Sequence, residues 1–224
     1  MTTFQRARSE EQRGIRRQAI LDTAAAMLDE MPVGEVSLNE LSRRVGLAKS
    51  NVLRYFESRE AILLELLDTA WTRLMGELPD LLAAGVGPEH AVRQRGDEFA
   101  AVFTRSLAER RVLCDLLSAQ AGVLEHNVSA AVAARYKRAA IGNVDALAGL
   151  ARQYLPELGD GARPFSAQAF MMVGAVWTHA RPSPGMLAAY DADPSLAALR
   201  MDFASALREM VATLIAGTLT RTAS

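Results

Sequence analysis

The chain has 224 residues, of which 50% are hydrophobic and 23% are charged, and its formal net charge is −1. This composition is typical of an ordinary globular protein and excludes a low-complexity or strongly basic chain. The one cysteine, Cys114, excludes an internal disulfide and a multi-cysteine zinc site. We expect neither a metal nor any other cofactor.

The positive charge is concentrated at the N-terminus. Residues 1–17 carry five arginines and two glutamates, although the whole chain is nearly neutral. The same stretch lacks the apolar core of a secretory signal. The most apolar window, residues 165–180, is shorter than the ~20 residues of a membrane span. We therefore expect a cytoplasmic protein that does not insert into a membrane.

Apolar residues recur at helical spacing along the chain, and no strand-like alternation bounded by hairpin signals occurs. The stretches rich in glycine, proline and aspartate at residues 156–164 and 181–194 are predicted loops. The spacing predicts helices over roughly residues 15–28, 38–45, 49–56, 59–79, 89–108, 110–124, 128–154, 165–180 and 199–219.

A helix-turn-helix is predicted between Leu38 and Phe56. Ser37-Leu38-Asn39-Glu40 has the form of a capping box, in which the Ser37 hydroxyl and the Glu40 carboxylate each accept a backbone N–H of the other residue. Gly46 ends the first helix, and the second helix begins at Lys49. In such a unit the second helix lies in the major groove of DNA. The alternative is a simple pair of packed helices whose polar residues face solvent.

The outer face of this unit offers two kinds of DNA contact. One group suits phosphates, which fix the register of the protein on the duplex; it consists of Lys49, Tyr55, Ser58 and Arg59. Ser50, Asn51 and Arg54 are better placed for base edges, since asparagine bonds adenine and arginine bonds guanine. The predicted DNA-binding residues are Ser37, Lys49, Ser50, Asn51, Arg54, Tyr55, Ser58 and Arg59.

The run from Ser37 to Leu63 resembles the DNA-binding domain of the TetR family of bacterial repressors, and the similarity covers roughly residues 13–68. The helix-turn-helix, the Tyr55-Phe56 pair and the Ser-Arg-Glu start of the next helix follow in the family's order. The resemblance implies an all-α fold. An N-terminal three-helix bundle would hold the helix-turn-helix (residues 1–60, with a basic arm over 1–12), and residues 61–224 would form a larger helical ligand-binding and dimerisation domain.

The function implied by the resemblance is that of a ligand-responsive transcriptional regulator. It would be a repressor that a small apolar or amphipathic molecule releases from a palindromic operator in double-stranded DNA, by shifting the population between two states. Two positions depart from the family pattern. Leu53 stands where a tyrosine is common, and Ala48 stands where serine or threonine usually caps the recognition helix, a loss of about 1 kcal/mol.

A homodimer is expected because a helix-turn-helix protein reads paired half-sites. The last predicted helix carries an apolar stripe, and a similar helix over residues 165–177 would complete a four-helix bundle between two subunits. The alternative is that both helices are core within one subunit. The predicted dimer interface consists of Phe203, Leu207, Met210, Val211 and Leu214.

The ligand pocket is predicted among the aromatic and methionine residues of the larger domain, with two glutamines as polar anchors. A plain core is the alternative for each of them. The candidates are Trp71, Met75, Phe99, Phe103, Gln120, Tyr136, Gln168 and Met171.

An all-α small-molecule-binding protein or enzyme without DNA binding is the chief alternative function, and a dimeric DNA-binding adaptor without a ligand is another. The chain has no recognisable nucleophile–base pair, phosphate loop or metal motif, so we expect no enzyme.

Overall fold

The computed structural model describes residues 3–222, with side chains from Glu10 onward. Its helices are α1 (Thr3–Glu30), α2 (Leu38–Val45), α3 (Lys49–Val52), α4 (Arg59–Gly85), α5 (Val92–Ala108), α6 (Arg111–Ala119), α7 (Ala130–Tyr154), α8 (Ala162–His179), α9 (Pro184–Ala192) and α10 (Phe203–Thr222). No strand occurs in the described range, which confirms the all-α prediction. None of these helices is long and apolar enough to cross a membrane.

The helices form two compact units. The first comprises the chain up to Asp68 together with Ala119–Tyr136, and the second comprises Thr69–Ser118 and the chain from Lys137 onward. Helices α4 and α7 therefore contribute residues to both units. The functional division at residues 60 and 61 stays a prediction. Of the basic arm over 1–12, the side chains of residues 1–9 lie outside the described residues.

The first unit is built on apolar residues spaced by three and four. Ile20 and Met27 of α1 are fully buried, as are Val52 of α3 and Leu63 of α4. Each such side chain contributes about 1.5–3 kcal/mol when it leaves water. Because these positions share one face of each helix, the polar residues between them are left on the outside.

The second unit is organised around α10, which packs against α5 and α8. Leu207, Val211 and Ile215 follow one another at every fourth residue of α10 and are buried. Gly96 of α5 faces Ile215, and a Cβ atom at that glycine would lie 3.0 Å from the Ile215 Cγ2 atom. A glycine thus allows α5 to approach α10 closely.

Helix α4 is longer than the sequence predicted. It was expected to end at Pro79, because proline lacks the N–H that the helix requires, but it continues to Gly85. Leu78 and Leu82 on either side of the proline are fully buried. Their burial outweighs the single lost hydrogen bond.

The stretch predicted as a loop over 181–194 contains helix α9. Its N-terminus is formed by Ser183, whose hydroxyl accepts the N–H of Met186 at 3.3 Å, and Pro184 occupies the first helical position. No residue of α9 is buried. Another departure is the π-helical turn at Gln120–Leu124, where a continuous α-helix was predicted.

Candidate nucleic-acid interface

Helix α2 begins with the predicted cap. The Ser37 hydroxyl accepts the backbone N–H of Glu40 at 3.2 Å. The second half of the predicted capping box is wrong, because the Glu40 carboxylate accepts instead from Arg43 Nη2 at 2.6 Å and from Arg44 Nε at 2.8 Å. These two arginines hold the pKa of Glu40 at about 2, well below its ordinary value. Glu40 thus fixes two positive side chains along α2.

The turn after α2 requires glycine. Gly46 has φ 69° and ψ 28°, which is the left-handed conformation, and its N–H is donated back to the carbonyl groups of Arg43 and Ser42. The next N–H, that of Leu47, is donated to Ser42 O at 3.0 Å. This pattern closes the end of α2 and directs the chain into α3.

Helix α3 is shorter than the predicted segment 49–56, because it spans only Lys49–Val52. Ala48 at its start provides no side-chain hydrogen bond, as the sequence indicated. Beyond Val52 the chain continues in turns, with Tyr55 N donating to Val52 O at 2.9 Å. Val52 and Phe56 are both buried, as predicted for the inner face of this segment.

The outer face of the same segment is polar. Lys49, Ser50, Asn51 and Arg54 are all exposed, whereas Tyr55 is half-buried. The face therefore presents hydrogen-bond donors to solvent, together with the acceptor oxygens of Ser50 and Asn51. Leu53, the position at which the family commonly has tyrosine, is also exposed.

Two predicted phosphate contacts are engaged within the protein itself. The Ser58 hydroxyl accepts the N–H of Ala61 at 3.1 Å and so caps the start of α4. Arg59 Nη2 donates to the carbonyl of Val33 at 2.9 Å, and the Arg59 side chain is only 21% exposed. Arg59 therefore braces the turn between α1 and α2, which corrects the prediction that it faces phosphate.

Contacts between distant residues hold the unit together, and the sequence did not reveal them. Arg17 of α1 forms a two-armed ion pair with Glu65 of α4, and its guanidinium lies 4.5 Å from the centre of the Phe56 ring. Glu57 accepts the backbone N–H of Ser129, and this bond lowers the pKa of Glu57. The only signal in the sequence is the position of Arg17, one helical turn before Leu21. Because Leu21 is buried, this spacing places Arg17 on the inner side of α1.

Comparison with family models covers most of the chain. A model described as "Bacterial regulatory proteins, tetR family" matches residues 20–66. A second model, described as "Tetracyclin repressor-like, C-terminal domain", matches residues 68–222. The chain belongs to the TetR family. The resemblance proposed from the sequence is confirmed, and the family is one of transcriptional regulators.

Individual relatives of this TetR-family chain are distant. It is 40% identical over 50 residues to the HTH-type transcriptional regulator EthR of Mycobacterium tuberculosis, a match that covers 22% of this chain and only 23% of that protein. A candidate transcriptional regulator from Pseudomonas aeruginosa PAO1 has a similar fold, with a TM-score of 0.55, 15% identity and coverage of 92% of this chain and 91% of that chain. The fatty acid degradation regulator FadR from Bacillus halodurans has a TM-score of 0.51, 15% identity and coverage of 89% and 94%. These similarities to solved structures show the fold alone.

The predicted pocket residues of this TetR-family chain belong to both compact units. Phe99 and Phe103 are fully buried in the second unit, and Trp71 packs on Phe170 with 4.1 Å between ring centres. Met75 is half-buried in the same unit, whereas Gln168 and Met171 are exposed, so the structure does not support these last two as pocket residues. Gln120 and Tyr136 belong to the first unit, where Gln120 donates to Glu125 at 2.8 Å and burial raises the pKa of Tyr136.

The second unit also contains a buried hydroxyl that the sequence did not single out. Thr104 is 2% exposed, and its Oγ1 atom has no hydrogen-bond partner among the described residues. It directly follows Phe103 on α5. A buried polar atom without a partner is rare in proteins and calls for a physical explanation.

The predicted dimer interface is only partly at the surface of the single chain. Leu207 and Val211 are fully buried, so they are core residues, which corrects the prediction for both positions. Phe203 is half-buried, and its ring meets Trp177 edge-on at 4.8 Å between centres. Met210 is 38% exposed and Leu214 is half-buried.

One carboxylate in the second unit joins three side chains. Asp115 of α6 accepts from Trp177 Nε1 at 2.7 Å and from Arg181 Nη1 at 3.0 Å, and Arg111 lies on its other oxygen. These contacts connect α6 to the end of α8. No group of three histidine, cysteine, aspartate or glutamate residues in the described part of the chain is arranged to hold a metal ion.

Proposed function

We propose that the protein is a DNA-binding transcriptional regulator, a repressor that a small apolar or amphipathic molecule releases from a palindromic operator. The observation that carries this proposal is the polar outer face of α3, where Lys49, Ser50 and Asn51 are exposed while Val52 is fully buried. Membership of the TetR family supports the same function.

The α3 face suggests a division of labour. The Asn51 amide has both a donor and an acceptor, which matches the major-groove edge of adenine. The Ser50 hydroxyl can bond either a donor or an acceptor on a base edge. Lys49 carries a point charge and has no acceptor, so it suits a phosphate. Tyr55 and Ser37 carry hydroxyl groups, which suit phosphates of the DNA backbone. Arg59 is assigned to bracing the turn at Val33, not to DNA.

The experiment is a selection of duplexes from random DNA by the full chain, followed by titration of the selected duplex and a scrambled one. Asn51→Ala should reduce discrimination between the two duplexes by about 1–3 kcal/mol, whereas Lys49→Ala should weaken both about equally. Gln153→Ala, an exposed change on α7, is the matched control and should alter neither. A wild-type chain that enriches no sequence would overturn the proposal.

We also propose that two copies of the chain associate through the outer faces of α8 and α10. Met171 of α8 is 68% exposed, which is unusual for a large apolar side chain in a helix of this unit, and Met210 of α10 is exposed as well. The helix between them, α9, buries none of its residues in the single chain. Apolar surface of this kind is typical of an interface between subunits.

The dimer is tested by placing a charge on this surface. Met171→Asp should give monomers in sedimentation velocity, because a buried carboxylate without a partner is costly at an interface. Ile141→Asp changes an exposed side chain of α7 in the same way, and it should leave the dimer intact. A wild-type monomer would overturn the proposed dimer, and a Met171→Asp dimer at the same concentration would move its interface elsewhere.

The effector is proposed to enter the aromatic part of the second unit. Trp71, Phe99, Phe103 and Phe170 offer apolar contacts, and Thr104 offers a hydroxyl that lacks a partner. Such a combination suits a ligand with an apolar body and one polar group. Among the structures with a similar fold, the regulator from Bacillus halodurans is described as controlling fatty acid degradation. We therefore take straight-chain fatty acids as the first probes.

Thr104→Val tests this site because valine keeps the shape of threonine and removes only the hydroxyl. We expect the variant to be as stable as the wild type without ligand, and to bind the best fatty acid of a chain-length series several-fold more weakly. Thr72→Val on the exposed side of α4 is the control and should bind like the wild type. Equal affinities for all three proteins would remove Thr104 from the site.

A further inference from the structure

A cleft in the first unit extends from the end of the α3 segment to α1. It is lined by Gln12, Arg13 and Arg16 of α1 and by Arg54 and Tyr55 after α3, and its volume is about 380 Å³. Among the described residues that line it, each has a hydrogen-bond donor at the end of its side chain, and none has a carboxylate. The cleft is therefore polar and positively charged throughout.

The three arginines of the cleft differ from several others in the same unit. Arg17 is occupied by Glu65, and Arg44 is occupied by Glu40 and Glu30. By contrast, Arg13, Arg16 and Arg54 have no hydrogen-bond or ion-pair partner within the described range. The unit thus neutralises some of its arginines internally and leaves these three directed at a common space.

Like charges around one space repel each other, so the arrangement favours an anion that they can share. A guanidinium group binds a phosphate through two parallel N–H bonds, and a phenolic hydroxyl adds another donor. Arg54 connects this cleft to the α3 face, because it lies three residues beyond Asn51. An anion held here would stand next to bases that Asn51 reads.

We propose that the cleft between α1 and the end of α3 is a binding site for backbone phosphates of the operator DNA, with Arg13 and Arg16 as contacts additional to those of the helix-turn-helix. This inference rests on the proposed DNA-binding function. It assigns Arg54 to phosphate and leaves base reading to Ser50 and Asn51. The site adds affinity and fixes register without adding sequence preference.

The test compares salt dependence of DNA binding. The double variant Arg13→Ala/Arg16→Ala should lower the slope of log Kd against log salt by about 1.8, since each phosphate contact contributes about 0.9. With contacts that contribute nothing at 1 M salt, the affinity loss at 0.15 M salt is about 30-fold, and it is equal for the selected operator and a scrambled duplex. Arg138→Ala/Arg152→Ala removes the same charge from exposed positions of α7 and should leave the slope unchanged.

Further measurements separate the possible results. Arg13→Lys/Arg16→Lys retains the charges and should restore most of the slope, which a variant that merely damaged the fold of α1 would not do.

If the wild type binds DNA but the alanine pair leaves the slope intact, the cleft proposal is overturned while the proposed function stands. If the wild type binds no duplex, both are overturned. If pyrophosphate raises the melting temperature of the wild type but not of the alanine pair, and the slope is intact, the site takes a free anion and not DNA.

Discussion

Each unit contains a glycine that determines how two of its helices are arranged, but the physical reasons differ. Gly46 in the first unit has a positive φ, and a Cβ atom there would meet nothing within 4 Å. Gly174 in the second unit has an ordinary helical backbone, and a Cβ atom there would lie 3.0 Å from the carbonyl oxygen of Leu117. The helix-turn-helix thus depends on a local backbone conformation, whereas the crossing of α6 and α8 depends on close packing.

The largest effect is expected at the packed glycine. Gly174→Ala should lower the free energy of unfolding by about 1–3 kcal/mol, because the atom that it meets belongs to a backbone and cannot rotate away. Urea denaturation of the full chain measures the loss. Gly149→Ala on α7 is the control, since nothing lies within 4 Å of its Cβ position, and it should stabilise by about 0.5–1 kcal/mol. Similar results for the two variants would contradict the packing explanation.

The turn glycine should give a smaller loss. Gly46→Ala places a Cβ atom in the left-handed conformation, at a cost of about 1–2 kcal/mol. Gly46→Asn should lose less, because asparagine tolerates this conformation better than alanine does. The difference between the two variants in urea midpoint is the decisive quantity. If alanine proved as good as asparagine, the turn would have to adopt another conformation.

The Asp115 contacts should contribute about 1 kcal/mol. Asp115→Asn keeps an acceptor for Trp177 but loses the charge that faces Arg181, and the Asp115 side chain is only 15% exposed. Unfolding in urea, followed by tryptophan fluorescence, measures the stability. Asp145→Asn disrupts the exposed pair with Arg163 and should have almost no effect. Equal losses would mean that Asp115 behaves as an ordinary surface charge.

The smallest effect is expected from Glu40 on α2, and it depends on pH. The pKa of Glu40 is lowered to about 2 in the folded protein, from an ordinary value of 4.5. A lowered pKa contributes stability above the unfolded value, and this contribution is lost as the pH falls from about 4.5 to about 2. Glu40→Gln should therefore be less stable than the wild type at pH 7, and the difference should disappear near pH 2. A difference that does not change with pH would show that Glu40 acts without its charge.

The helix-turn-helix could be predicted residue by residue because its determinants are local. The cap at Ser37, the turn at Gly46 and the inward positions Val52 and Phe56 follow from short-range rules, and the structure has all of them. The prediction went wrong where a side chain had a choice of partners. The Glu40 carboxylate accepts from two arginines and not from the N–H of the cap residue. Arg59 donates to the carbonyl of Val33 and is not directed at solvent.

The larger unit was harder to predict because apolar residues look alike in a sequence. Leu207 and Val211 form the same stripe as Met210 and Leu214, yet the first pair is buried within the chain. Helical spacing identifies an apolar face, but it does not say whether that face meets the same chain or another one. The same ambiguity affected Met171, which was predicted in a pocket and lies at the surface.

The amino-acid sequence by itself determined that the protein is all-α, that it belongs to the TetR family and that its helix-turn-helix begins at the Ser37 cap and turns at Gly46. These features arise from hydrogen bonds and periodicities within a few residues. Only the tertiary structure decided which arginines of the first unit are neutralised and which line the cleft with Arg54. It also decided which apolar residues of α10 are core. Both depend on contacts between residues far apart in the chain, and no local pattern encodes them.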